Sequence, residues 1–206
     1  MSSRSPIESR SQNDLVAAHF RRSCEALSRA ADDANLRAMI HVIAETITAA
    51  FRAGHKLLIA GNGGSAADAQ HIAGEFLSRL NFDRHPLPAI ALTTDSSVLT
   101  AIGNDYGFEQ TFERQVRGLG KPGDVFIAIS TSGRSPNVIA ALRAGRDCRL
   151  TTVGFSGSGG NGLMQPFCDY FLAAPTGETP LIQQIHIVAA HAICGLVESS
   201  LFQQSK

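Results

Sequence analysis

Five short apolar runs, mostly separated by helical stretches, constrain this chain more than any other feature. They are His55–Ala60, Pro88–Leu92, Asp124–Ser130, Thr151–Phe155 and Tyr170–Ala173. Each has the length of a strand and is bounded by Gly, Pro, Asp or Ser. A strand that is apolar at every position is covered on both faces, as in a parallel sheet. Ala66–Leu80, Ser96–Ala101 with Phe108–Val116, and Pro136–Arg146 read as helices between the runs, and a last helix reads from about Pro180 to Phe202. This alternation predicts an α/β three-layer sandwich around a five-stranded parallel sheet. Ser156–Gly162 is glycine-rich and reads as a loop.

Two more helices precede the sheet. No proline or glycine interrupts Asn13 to Arg52. Leu15, Phe20, Cys24 and Leu27 recur at helical spacing, and Leu36, Met39, Ile40, Ile43 and Ile47 do so again, with a break near Asp32–Asn35. The polar stretch 1–12 reads as a disordered lead-in. Residues 13–206 read as a single domain that includes the helical pair at 13–53. With 206 residues, 44% of them hydrophobic, the chain supplies the core of one domain.

Eighteen basic and 18 acidic side chains cancel, which argues against a protein held to nucleic acid by bulk charge. The chain has no tryptophan and few aromatic residues for base stacking. No apolar run is expected to reach the ~20 residues that span a bilayer, and the N-terminus lacks the apolar centre of a signal peptide. Cys24, Cys148, Cys168 and Cys194 are far apart and form no paired motif, so reduced thiols and a cytoplasmic location are the simpler reading.

Two strand ends carry candidate chemistry. The first run closes in Gly61-Asn-Gly-Gly-Ser65 directly ahead of a helix. Glycines let backbone N–H groups reach a ligand, Ser65 is placed to cap the helix, and the helix N-terminus favours an anion. The third run closes in Ser130-Thr-Ser-Gly-Arg-Ser135, where Ser130, Thr131, Ser132 and Ser135 surround one glycine at the end of a strand that open α/β sheets use for ligands. Each loop alone is also a plain turn into a helix; the pair points to a phosphate monoester.

His71 and Glu75 share a helix face at i, i+4, and Gln183 and His191 lie two turns apart on the last helix. Imidazole nitrogen and carboxylate oxygen suit zinc. Read without further context, a His–Glu pair such as His71–Glu75 is more often a surface hydrogen bond than a ligand pair, and His186 and His191 on a mostly apolar helix are more often core residues.

AGNGGSAADAQHIAGEFLSRL, AIGNDYGFE, AISTSGRSPNV and IQQIHIVAAHAICGLVE, in this order, resemble the sugar isomerase (SIS) domain family and, within it, the phosphoheptose isomerases. The resemblance covers nearly the whole chain. It implies conversion of sedoheptulose 7-phosphate to D-glycero-D-manno-heptose 7-phosphate through an enediol, the first step towards nucleotide-activated heptoses for lipopolysaccharide, capsule or S-layer glycans. It implies a homotetramer with active sites at subunit interfaces, and zinc held by His71, Glu75, Gln183 and His191. Glu75 is then the expected base and His191 the expected acid. Gly63, Gly64, Ser65, Glu75, Arg79, Asn104, Asp105, Ser130, Thr131, Ser132, Ser135 and Gln183 are expected to contact substrate. His186 is expected to be structural. Many relatives carry Arg-Ile-Gln-Glu where this chain has Leu181-Ile-Gln-Gln184, which bears on the interface, the sugar tail or the support of Gln183. The same fold also offers other readings: a scaffold that binds the replication initiator DnaA, an isomerase or binder of another phosphosugar, and a regulatory module. The scaffold relatives lack a histidine at the position of His191.

Overall fold

A computed structural model describes residues 6–160 and 162–202, with side chains from Asp14 onwards. Five strands form one parallel sheet in the order β2-β1-β3-β4-β5: β1 Leu57–Gly61, β2 Ala89–Ala91, β3 Val125–Ile129, β4 Thr151–Gly157 and β5 Tyr170–Ala174. Every residue of β1 and β3 is buried, as continuous apolar runs require. β4 runs on through Ser156 and Gly157, the start of the expected loop, because both pair with β5.

Alternate residues of each central strand feed different cores. Leu57, Ile59, Val125, Ile127 and Ile129 pack beneath α2 (Ala34–Arg52), α3 (Gly64–Leu77) and α7 (Thr179–Phe202). Leu58, Ala60, Phe126 and Ala128 pack on the other side with residues of α5 (Glu113–Leu119) and α6 (Pro136–Asp147). α4 (Ser96–Tyr106) follows β2 and leads through a short 3-10 turn to α5.

α1 spans Pro6–Asp32, so it takes in residues 6–12 of the expected lead-in; residues 1–5 of that lead-in lie outside the described residues. The physical reason is local: nothing after Pro6 breaks a helix, and proline is favoured in a first turn. Asp33 separates α1 from α2 because its carboxylate accepts from the N–H groups of Asn35 and Leu36 and caps the second helix. Ile43 and Ile47 of α2 are fully buried, and deleting either side chain costs about 2–5 kcal/mol.

α7 corrects one expectation. As a whole it is long and apolar enough to cross a membrane, judged by length and composition. Its apolarity is instead consumed inside the fold, where Leu181, Ile182, Ile185, Ala189, Ile193 and Val197 are buried against α2, α3 and the sheet. The four cysteines are free thiols. Burial pushes those of Cys168 and Cys194 up to about 12, so neither is a nucleophile near neutral pH.

Candidate active site

β1 and β3 are neighbours, with Gly61 opposite Ile129, so the two loops that follow them lie side by side at the C-terminal edge of the sheet. In the first loop, Gly63 rather than Ser65 occupies the cap of α3, and no side chain caps the helix. Ser65 lies inside the first turn and is buried. The N-terminus of α3 therefore keeps its partial positive charge uncompensated by a capping oxygen. A Cβ at Gly64 would collide with the amide of Gln183, so glycine is what lets α7 approach this loop.

The second loop is braced from within. Ser130 Oγ and Ser135 Oγ are 3.0 Å apart, and Ser135 stands at the cap of α6 without capping it. Gly133 has φ +64° and sits against the backbone of Gly160, which excludes any larger residue there. Gly157 N–H donates to the Thr131 carbonyl at 3.0 Å, tying the loop to the end of β4.

One helical turn after another brings α3's polar face to α7. His71 Nε2 lies 3.2 Å from Glu75 Oε1 and 2.9 Å from His191 Nε2. One ligand atom from each of these three residues falls within 4.8 Å of the others. Two imidazole nitrogens and a carboxylate oxygen at this spacing fit a divalent ion such as zinc. Gln183 stands over Gly64, at the glycine loop. The structure thus brings together His71, Glu75 and His191, three of the four expected ligands, and the amide of the fourth, Gln183, lies against the glycine loop. His71 is 47% exposed and Glu75 21% in the single chain, so the trio opens outward.

Other expected residues fall as follows. Arg79 is exposed and lies just past the end of α3. Asn104 and Asp105 lie in the last turn of α4 rather than in a loop, and Asn104 Nδ2 donates to Asp105 Oδ1 at 2.8 Å. His186 is structural, as expected: it is buried, its Nε2 meets the Ser156 carbonyl at 3.1 Å, and burial lowers its pKa to about 4. Leu181 is a core residue of α7, and Gln184 Oε1 is buried without a hydrogen-bond partner among the described residues.

Two features escaped sequence reasoning. Asp68 precedes His71 by one turn; burial raises its carboxyl pKa, against a lowering by His71, and its Oδ2 is buried without a hydrogen-bond partner among the described residues. The i, i+3, i+7 spacing of Asp68, His71 and Glu75 was the available signal. Behind the trio, Arg84 and Glu198 form a buried ion pair at 2.9 Å, their side chains 2% and 0% exposed. Arg84 Nη2 donates to the Glu75 carbonyl and Nη1 to the Phe76 carbonyl, both at 2.8 Å. Glu198 accepts from Leu80 N–H and Asn81 N–H. A cation thus satisfies the open carbonyls at the end of α3 and ties that end to α7.

The SIS domain profile matches residues 19–157. A phosphoheptose isomerase of Bradyrhizobium sp. (strain BTAi1) is 57% identical over 195 residues, 94% of this chain and 98% of its own length. The chain belongs to the phosphoheptose isomerase family of SIS-domain proteins. The phosphoheptose isomerase of Aneurinibacillus thermoaerophilus is 49% identical over 93% of the chain and 96% of its own length. The structure of phosphoheptose isomerase GmhA from Neisseria gonorrhoeae superposes with a TM-score of 0.85 at 41% identity, over 91% of this chain and 99% of that one. These relatives are isomerases, and the replication-scaffold reading draws no support from them. The chain is an isomerase with the fold and helical pair that the resemblance implied.

Proposed function

We propose that the enzyme converts sedoheptulose 7-phosphate to D-glycero-D-manno-heptose 7-phosphate, with Glu75 as base and His191 as acid. The observation that carries this reading is the meeting of His71, Glu75 and His191 across α3 and α7, beside two anion loops. The phosphate is held by the glycine loop at Gly63, Gly64 and Ser65 and by the hydroxyls of Ser130, Thr131, Ser132 and Ser135. Asn104, Asp105, Arg79 and Gln183 serve the sugar hydroxyls. Glu75 takes the proton from C1, the carbon beside the ketone. His191 gives a proton to the carbonyl oxygen at C2, and an enediol results. Glu75 then returns its proton to C2 while His191 recovers one from the C1 hydroxyl, leaving an aldehyde at C1.

A zinc ion held by His71, Glu75 and His191, with Gln183 as a fourth ligand, would polarise the carbonyl when bound. We assign the enzyme to the cytoplasm, at the entry to nucleotide-activated heptoses for lipopolysaccharide, capsule or S-layer glycans. It works as a homotetramer with interfacial sites. Support for assembly comes from the outward-facing trio and from exposed Leu15, Val16 and Phe20 of α1 and Val188 of α7.

The test is turnover of sedoheptulose 7-phosphate followed by NMR, before and after dialysis against a chelator. The expected result is an aldoheptose 7-phosphate, lost on chelation and restored by zinc, from a particle of four chains by light scattering. Saturable binding without turnover would move the substrate to another phosphosugar.

A further inference from the structure

Behind the two loops lies a small polar junction with no charged member. Asn62 Nδ2 donates to Asn137 Oδ1 at 2.8 Å, and Asn137 Nδ2 donates back to Asn62 Oδ1 at 2.9 Å. Asn137 Nδ2 also reaches Thr111 Oγ1 at 3.4 Å. Thr111 Oγ1 donates to the Phe108 carbonyl at 2.8 Å, so it accepts from Asn137. That fixes which end of the Asn137 amide carries nitrogen, and with it the direction of the whole junction. Asn137 is 1% exposed and Thr111 0%, while Asn62 is half-buried, so water can reach the junction only from the Asn62 side.

The three residues come from the three segments that carry the candidate substrate contacts. Asn62 is in the glycine loop between Gly61 and Gly63. Asn137 follows the serine loop, in the first turn of α6. Thr111 ends the 3-10 turn that follows Asn104 and Asp105 of α4. Asparagine is a poor helix former, so its place in α6 has a local cost that the junction offsets. Neutral amides join the loops without putting a competing charge beside a phosphate.

We propose that Asn137 is a positioning residue: through Asn62 and Thr111 it sets the spacing of the two phosphate loops and of the segment following Asn104–Asp105. It touches no reacting atom. This rests on the loops holding the sugar phosphate, so its effect falls on binding and leaves proton transfer alone.

Asn137→Ala should raise KM for sedoheptulose 7-phosphate about tenfold, the worth of one to two buried hydrogen bonds, with kcat within about twofold. Inorganic phosphate should weaken as a competitive inhibitor by the same factor. Thr111→Val, nearly isosteric, removes the longest arm together with the hydroxyl's bond to the Phe108 carbonyl and should raise KM about two- to threefold; it keeps the test alive if Asn137→Ala does not fold. A merely structural role would lower the active fraction, reducing kcat at unchanged KM, and that result overturns the proposal. Direct binding of inorganic phosphate to wild type and variant, by calorimetry, reads the junction independently of turnover. If wild type binds phosphate but does not isomerise the heptulose, the substrate reading fails and the junction is still judged by the ratio of the two phosphate affinities. Equal affinities would contradict it.

Discussion

The glycine and serine loops grow from the ends of adjacent buried strands and are joined by neutral amides. The His71–Glu75–His191 trio instead spans two helices, and those helices are tied behind it by the buried charges of Arg84 and Glu198. The loops inherit their neighbourhood from sheet register, and neutral amides rather than charged side chains join them. The trio has no shared strand, so its spacing depends on helix packing and on one ion pair. A phosphate is served by a preset cradle, and proton transfer by groups that helix packing brings together.

The largest expected effect strikes the trio. Glu75→Gln should lower turnover roughly 10²–10⁴-fold at little cost in stability, because its carboxylate is partly exposed. Steady-state kinetics beside thermal unfolding checks both halves. Arg84→Met should strike the tie instead. It leaves Glu198 buried without a counter-charge, at a cost of about 3–5 kcal/mol in urea unfolding. A loss under 1 kcal/mol would show that the helices do not need the pair.

Gly64→Ala probes where loop and trio meet. The new Cβ displaces the flexible end of Gln183 rather than backbone, so stability should hold while turnover falls roughly tenfold. Wild-type turnover would remove Gln183 from the site.

The smallest effect is a pH slope. Burial lowers the pKa of His186 from 6.5 to about 4, so below 6.5 the unfolded chain binds a proton that the folded chain refuses. Burial would raise the Glu198 carboxyl, but the N–H groups of Asn81 and Leu80 and the Arg84 guanidinium outweigh it and hold it low. Its contribution is present above the ordinary carboxylate range and is lost as pH falls through the lowered value. Both act in one direction: the urea midpoint should fall from pH 6.5 towards pH 4. His186→Gln should flatten that slope.

What was legible follows the same division. All five strands were readable because continuous apolar runs have few other uses, and both loops followed from the residues that end them. The His71–Glu75 spacing lies within one helix, so it too was readable. The partners across helices were not: Asn62 and Asn137 are 75 positions apart, and Arg84 and Glu198 are 114. Ser65 was misread as a cap because the chain turns at Gly63, two residues earlier than a Ser65 cap would need. The start of α1 was misplaced because a polar stretch without a breaker propagates a helix as readily as it frays.

The most direct test of proton transfer between α3 and α7 is NMR of sedoheptulose 7-phosphate in heavy water, with wild type beside Glu75→Gln. Wild type should exchange the C1 proton and form the aldoheptose 7-phosphate, while the folded variant does neither at a comparable rate. Exchange at C1 by Glu75→Gln at the wild-type rate would contradict the assignment of the base and, with it, the role given to the trio.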